Sequence, residues 1–312
     1  MFRSMAITAG IFCCTTVSIF AQRSNPMTEG PQPVSMIVRA ESKGGAATLQ
    51  PSDLNVQFNG KPVTVSSIQP LGVGNKAGVH TEIALLIDDG LRGNFGVQLR
   101  DVESFVQNTA SPNTAVGIGY MRNGGVEFPE GFSTEPEKEI KAIRLPISMA
   151  GVDGSPYFCL QDLLKKWPVH PGVARVVLMI TSGIDRYNGS TSPMNQDSPY
   201  VAQAVTDAQR AGVPVYSIYY GRRNVNGQMS SFSGQSYLSQ MAEGTGGDSL
   251  NGGTINPVSL SPYFKRFEDE LQESYLVTFQ SGLTKMERVK VSTTGKGIKI
   301  RAPQLVGAAG AK

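Results

Sequence analysis

The sequence predicts a doubly wound, mainly parallel α/β sheet joined to a small β-sandwich-like module, and three observations lead there. Ile83 to Ile87 form an unbroken apolar run that ends on Asp88-Asp89-Gly90-Leu91-Arg92, the pattern of a parallel strand buried on both faces. Ala115 to Met121, Arg175 to Thr181 and Val213 to Tyr220 repeat it with helix signals between them, and strand-helix-strand repetition calls for right-handed crossovers in a parallel sheet. On both sides of this region the apolar period falls to two, as in half-buried antiparallel strands.

At the N-terminus, Arg3 precedes an apolar stretch from Met5 to Phe20 that closes on Ala21. Basic start, apolar core and small residue in that order predict a secretory signal cleaved after Ala21, and the stretch is too short and threonine-rich for a comfortable membrane span. An uncleaved anchor is the alternative, since Ile19 is not the ideal residue two positions before the cut. Cys13 and Cys14 leave with the signal, and Gly10-Ile11-Phe12 before them is not a lipoprotein box. Gln22 to Pro33 is polar and proline-bearing, which suits a flexible leader. The expected destination is periplasmic or extracellular.

The 312 residues carry a formal charge of +3. Cleavage removes one basic and no acidic residue, leaving 27 basic against 25 acidic side chains and a charge of +2. Such balance excludes a nucleic-acid binder by charge alone. Only Cys159 then remains, so no intrachain disulfide can form, and stability must come from a core.

Val34, Met36 and Val38 alternate, as do Leu54, Val56 and Phe58, and then Val63 and Val65; Asn59-Gly60 between the latter two sets is a strong hairpin signal. A glycine-rich loop, Gly72 to Gly78, leads into the central region. Ser155-Pro156-Tyr157, Ser198-Pro199-Tyr200 and Ser261-Pro262-Tyr263 each offer a serine N-cap followed by proline at the first helical position. Thr134 with Glu137 makes a capping-box pattern before Ile140 and Ile143, and Gly212 stops a helix. Phe264, Phe267 and Leu271 give the Ser261 helix one apolar face.

Tyr275, Val277 and Phe279, then Val289 and Val291, then Ile298 and Ile300 predict three closing strands. Lys290, Lys299 and Arg301 fall on opposite faces, as on a solvated sheet, with contact to an anionic surface as the alternative. Three strands with one apolar face are marginal alone. The N- and C-terminal sets should therefore bury their faces against each other as one discontinuous module, 34–76 with 274–306, interrupted by the α/β domain 77–273 and followed by a disordered tail, 307–312. The end of the sheet bearing Asp88 should point away from that module.

The order of these pieces resembles the Acidobacteria-type von Willebrand factor A-related proteins, from about Val34 to Val306. The likeness rests on Ser52-Asp53-Leu54 leading into Asn59-Gly60, the strand into Asp88, Val177 to Gly183, Ala242 to Gly247 and Glu273 to Val277. The resemblance implies a Rossmann-like domain with a three-part divalent-metal site at the upper rim of the sheet. Asp88 matches the family's first aspartate, but Gly90 and Arg92 stand where it has serines, and Ser182 where it usually has an aspartate. Ser155 is the nearest hydroxyl to the second loop. Such a degenerate site lacks the oxygens a hard cation needs; regrouping of Asp88, Asp89 and Asp185 around a metal is the alternative.

The chain has only His80 and His170, both in connections, and carries no nucleophile elbow, phosphate-binding glycine loop or zinc spacing. No catalytic residue, metal or cofactor is expected, and Cys159 suits a buried inert thiol. The expected function is an exported, non-enzymatic binding or adhesion module that recognises a protein partner through the rim without a metal. Its rim candidates are Asp88, Asp89, Arg92, Asn94, Ser155, Tyr157, Ser182, Asp185, Arg186 and Tyr187. Arg92 is expected to act as a tethered cation beside Asp88 and Asp89. A metal-dependent adhesion domain with shuffled ligands and a structural subunit of an envelope assembly are the alternatives.

Overall fold

The computed structural model describes residues 33–43, 47–74, 76–91, 94–147, 155–188, 196–221, 227–253, 255–280 and 283–307. The expected signal segment, most of the expected leader, Arg92 and residues 308–312 of the expected tail lie outside them.

The described chain begins with β1 (Pro33–Ser42), β2 (Leu54–Phe58), β3 (Lys61–Val63) and β4 (Val65–Pro70). There follow β5 (Thr81–Asp88), α1 (Leu99–Thr109), β6 (Thr114–Arg122), β7 (Gly125–Glu127), α2 (Pro136–Ile140), α3 (Pro156–Lys166) and β8 (Ala174–Thr181). Then come α4 (Pro199–Ala211), β9 (Val215–Tyr219), α5 (Gly227–Thr245), β10 (Ser249–Leu250) and α6 (Ser261–Gln272). β11 (Ser274–Gln280), β12 (Glu287–Thr293), β13 (Ile298–Arg301) and β14 (Leu305–Val306) close it.

The central sheet has six strands in the order β10-β9-β8-β5-β6-β7, all parallel except the antiparallel edge strand β7. Its apolar strands are buried because helices cover both faces. Ile83, Leu85 and Ile87 of β5 share one core with Phe105 of α1 and Phe264, Phe267 and Leu271 of α6. Ala84 and Leu86 point the other way, into a core with Leu160 and Leu163 of α3 and Val201, Ala204 and Ala208 of α4. Period-two alternation thus survives in β5, but both sets are apolar, so the run reads as continuous.

The remaining strands form two four-stranded antiparallel sheets, β13-β1-β11-β4 and β14-β12-β2-β3. The N- and C-terminal strands are interleaved within each sheet, which corrects the expectation that one sequence set packs on the other. β1 lies between β11 and β13, and β2 pairs with β12. Val63 and Val65 are not one strand: the chain changes sheet at Thr64, and both side chains reach the same core from opposite layers. That core holds Val34, Met36, Val38, Val56, Phe58, Val277 and Phe279. The Asn59-Gly60 turn has φ of 48° and 80°, the double positive pair of the hairpin turn that follows strand twist.

Ser155 Oγ accepts from Tyr157 N, and Ser198 Oγ from Tyr200 N and Val201 N, so two serine-proline starts are capped as expected. The third is a correction. Ser261 is already helical, and Asp101 of α1 accepts from the amides of Leu260 (2.7 Å) and Ser261 (3.2 Å) instead. Nor does Thr134 cap α2, whose N-cap is Glu135 and which ends at Ile140. Gly212 closes α4 at φ 65°, a left-handed position that favours glycine.

An ionic chain ties the antiparallel sheets to the α/β layer. Arg39 of β1 pairs with Glu270 of α6; Glu270 also meets Arg266 at 3.0 Å; Arg266 reaches Asp248 at 2.6 Å; and Asp248 meets Arg301 of β13 at 3.0 Å. On the same surface of the sandwich, Ile37 and Leu276 enter the α/β core. Among the described residues no helix is long and apolar enough to cross a membrane.

Candidate functional site

The strand order places the crevice. β5 crosses over to β6 on one side and β8 to β9 on the other, and ligands of open α/β sheets bind outside the strand ends where the winding reverses. β5 ends there with Asp88 and β8 with Thr181. Leu71, Gly72 and Val79, which follow β4, lie at the opposite end of β5, beside its first residue, Thr81.

At the rim each carboxylate is engaged by donors of its own chain. Asp88 Oδ1 accepts from Gly90 N at 2.9 Å, and Oδ2 from the Thr181 hydroxyl at 2.9 Å. Asp89 Oδ1 accepts from Arg144 Nη1 at 2.7 Å and from Ile147 N at 3.0 Å. The Arg144 guanidinium lies 3.7 Å from the centre of the Tyr120 ring, whose hydroxyl accepts from Arg144 N at 2.6 Å. Burial, followed by that backbone bond and the Arg144 and Asp89 charges, leaves the Tyr120 phenol above its ordinary value. Asp185 Oδ2 accepts from Ser198 Oγ at 2.6 Å and Oδ1 from Tyr187 N at 3.1 Å.

Six sequence candidates are therefore brought together but turned inward. Asp88, Asp89, Ser155, Tyr157, Ser182 and Asp185 are all buried, a correction to their reading as contact residues. The reason is that loops and helix starts leave backbone groups unpaired, and Asp88, Asp89, Ser155, Tyr157 and Asp185 satisfy them. Tyr157 shows it: its hydroxyl donates to Gly183 O at 2.8 Å, and burial, then Asp185 and Tyr237, push the phenol well above its usual range. Arg186 and Tyr187 are exposed. The Tyr187 ring packs, tilted, 5.0 Å from Phe158, which sits 5.1 Å from the Tyr200 ring. Arg92 and the side chain of Asn94 lie outside the described residues. Arg144 is a cation beside Asp89 that sequence reasoning did not name.

The donor set does not fit a hard divalent cation. Such an ion needs about six oxygens in near-octahedral array. Both oxygens of Asp88 and of Asp185 already accept bonds within the chain, and a guanidinium stands at Asp89. Among the described residues no three His, Cys, Asp or Glu side chains converge. Cys159, 1 % exposed, has its thiol pushed up to about 12, by burial first and then by Asp88, so it offers little thiolate.

Sequence reasoning missed an apolar surface on the same rim. Val97, Leu145, Ile147 and Val258 are 75 %, 51 %, 55 % and 97 % exposed. They are neighbours through the backbone that carries them. Leu145 Cδ2 lies 3.0 Å from where a Cβ on Gly96 would be, the amide of Ile147 rests on Asp89, and Gln98 Nε2 donates to the carbonyls of Pro257 and Val258. The available signal was an apolar pair in a proline-bearing connection, Leu145-Pro146-Ile147, where no helix or strand period accounts for it.

No protein-family model matches the sequence, and no curated protein matches it. Solved structures similar to the chain include an aerotolerance-related membrane protein from Bacteroides fragilis, 15 % identical, with 63 % of this chain and 100 % of that chain covered and a TM-score of 0.44. BatB from Bacteroides thetaiotaomicron is similar at 16 % identity, covering 63 % of this chain and 98 % of that one, with a TM-score of 0.42. The PilB minor pilin from Streptococcus sanguinis is similar at 12 % identity, covering 64 % and 62 % of the two chains, with a TM-score of 0.42.

Proposed function

We propose that this chain is an exported, non-enzymatic binding module of the von Willebrand factor A-related type that docks a protein partner on the upper rim of its α/β sheet without a metal. The observation that carries the reading is the pairing of two features at one place. The rim carboxylates are satisfied internally, and beside them Val97, Leu145, Ile147 and Val258 stand in solvent. Exposed aliphatic clusters rimmed by polar groups mark interaction surfaces, and a carboxylate with both oxygens hydrogen-bonded has fewer lone pairs left for a metal. The exposed Tyr187 and the neighbouring Phe158 and Tyr200 extend the contact surface, with Arg186 beside them. His80 and His170 lie in separate connections and Cys159 is buried, which supports a role without catalysis.

The test is capture of proteins from the producing cell's envelope fraction, comparing the mature chain with the double variant Val97→Asp, Ile147→Asp. Both side chains are exposed, so stability should change by under about 0.5 kcal/mol each. Retention of the captured partner should fall at least about tenfold, since desolvating two carboxylates in an apolar contact costs well over about 1.4 kcal/mol. An unchanged set of captured proteins contradicts the reading.

A further inference from the structure

A second feature lies at the opposite end of the sheet. A cavity of about 350 Å³ opens between the loop after β4, the end of α1 and the end of α6. Both covalent crossings between the antiparallel sheets and the α/β layer border it: Gly74 and Lys76 belong to the first, and Gln272 ends α6 just before the second. Its walls carry one cation and one carboxylate, Lys76 and Glu268, together with the amides of Asn108 and Gln272.

These charges are engaged with the fold, but only in part, and not with each other. Lys76 Nζ donates to Gln272 O, the last carbonyl of α6, and its electrostatic partner is Glu273. An ammonium has three donors, so two are left. Glu268 Oε1 accepts from the Thr109 hydroxyl at 2.8 Å, which leaves its other oxygen; its charged neighbours are Asp269 and Lys265. Both groups sit where burial disfavours their charged forms: the lysine is shifted down and the glutamate up, desolvation being the largest cause in each case. A ligand charge opposite each would offset that desolvation. The C-terminus of α1 adds partial negative charge on the Glu268 side, whereas at the α6 terminus Lys76 already neutralises it.

We propose that this cavity binds a small zwitterion of the α-amino-acid class, its carboxylate at Lys76 and its ammonium at Glu268 and the end of α1. A singly charged ligand would complement one of the two groups and leave the other as it is. The volume suffices for a free amino acid and sits at the low end for small-molecule sites. Because its walls come from both crossings, an occupant bridges them and stabilises the folded chain.

The test is thermal unfolding of the mature protein with each free proteinogenic L-amino acid in turn at millimolar concentration. The expected result is that at least one raises the midpoint, with the dose dependence of ligand linkage. The N-acetyl and methyl ester derivatives of that same amino acid, each stripped of one charge, should bind at least tenfold more weakly. Glu268→Gln, which keeps an acceptor for Thr109, and Lys76→Met should each weaken binding at least tenfold. Lys76→Met also removes a cap from α6, so the Glu268 variant and the wild-type comparison of derivatives decide the matter if it fails to fold. The proposal is overturned if no amino acid shifts the midpoint, if either derivative binds as well as its parent, or if the shift persists in the Glu268 variant.

Discussion

Replacing Glu270 by alanine should destabilise the protein by about 3 to 5 kcal/mol, measured by urea unfolding, because it strands a buried guanidinium. Arg39 and Glu270 are only 5 % and 9 % exposed at their side chains, and they lie where β1 of the sandwich packs on α6. Glu270 also receives Arg266 at 3.0 Å, but Arg266 is 57 % exposed and that bond is screened by water. Loss of the carboxylate therefore matters through Arg39. Changing both partners to methionine should recover most of the stability, since a buried ion pair is often replaceable by apolar groups of similar size. A loss below about 1 kcal/mol in the single variant would show that the pair is not what joins the two layers.

Arg144→Met should cost about 2 to 3 kcal/mol in the same measurement. Asp89 has no exposed side-chain surface while Arg144 is 29 % exposed, so the charge left behind is the buried one. Methionine keeps much of the contact over the Tyr120 ring, and Asp89 retains its bond from Ile147 N, which holds the loss below that of Glu270→Ala. The companion variant Asp89→Asn combined with Arg144→Met should lose less than the single change, because the amide carries no charge. Equal losses in the single and double variants would remove Arg144 from its role as the rim's built-in cation.

These two ion pairs also mark where sequence reasoning ran out. The strand into Asp88 was legible because both of its faces are apolar, and the caps of α3 and α4 because each serine bonds to amides two or three residues on. Asn59-Gly60 was legible for the same local reason. The cap of α6 was not, since Asp101 reaches it from 159 residues away in sequence. Nor was Arg144, which is 55 residues from Asp89 and beyond the reach of a local rule. The sheet change at Thr64 was hidden because Val63 and Val65 keep a period of two while leaving one layer for the other. Val97, Leu145 and Ile147 were missed for a different reason: periodicity treats an apolar residue as buried, although much of any protein surface is apolar.

The central claim is that the rim's charges are neutralised from within and need no divalent ion. It is tested most directly by the thermal midpoint of the protein in EDTA and across a series of Mg²⁺ and Mn²⁺ concentrations. A midpoint that stays constant through both series is the predicted result, because an ion without a site on the folded state cannot stabilise it. A midpoint that climbs steadily with the logarithm of metal concentration, and returns to its starting value on chelation, would contradict it.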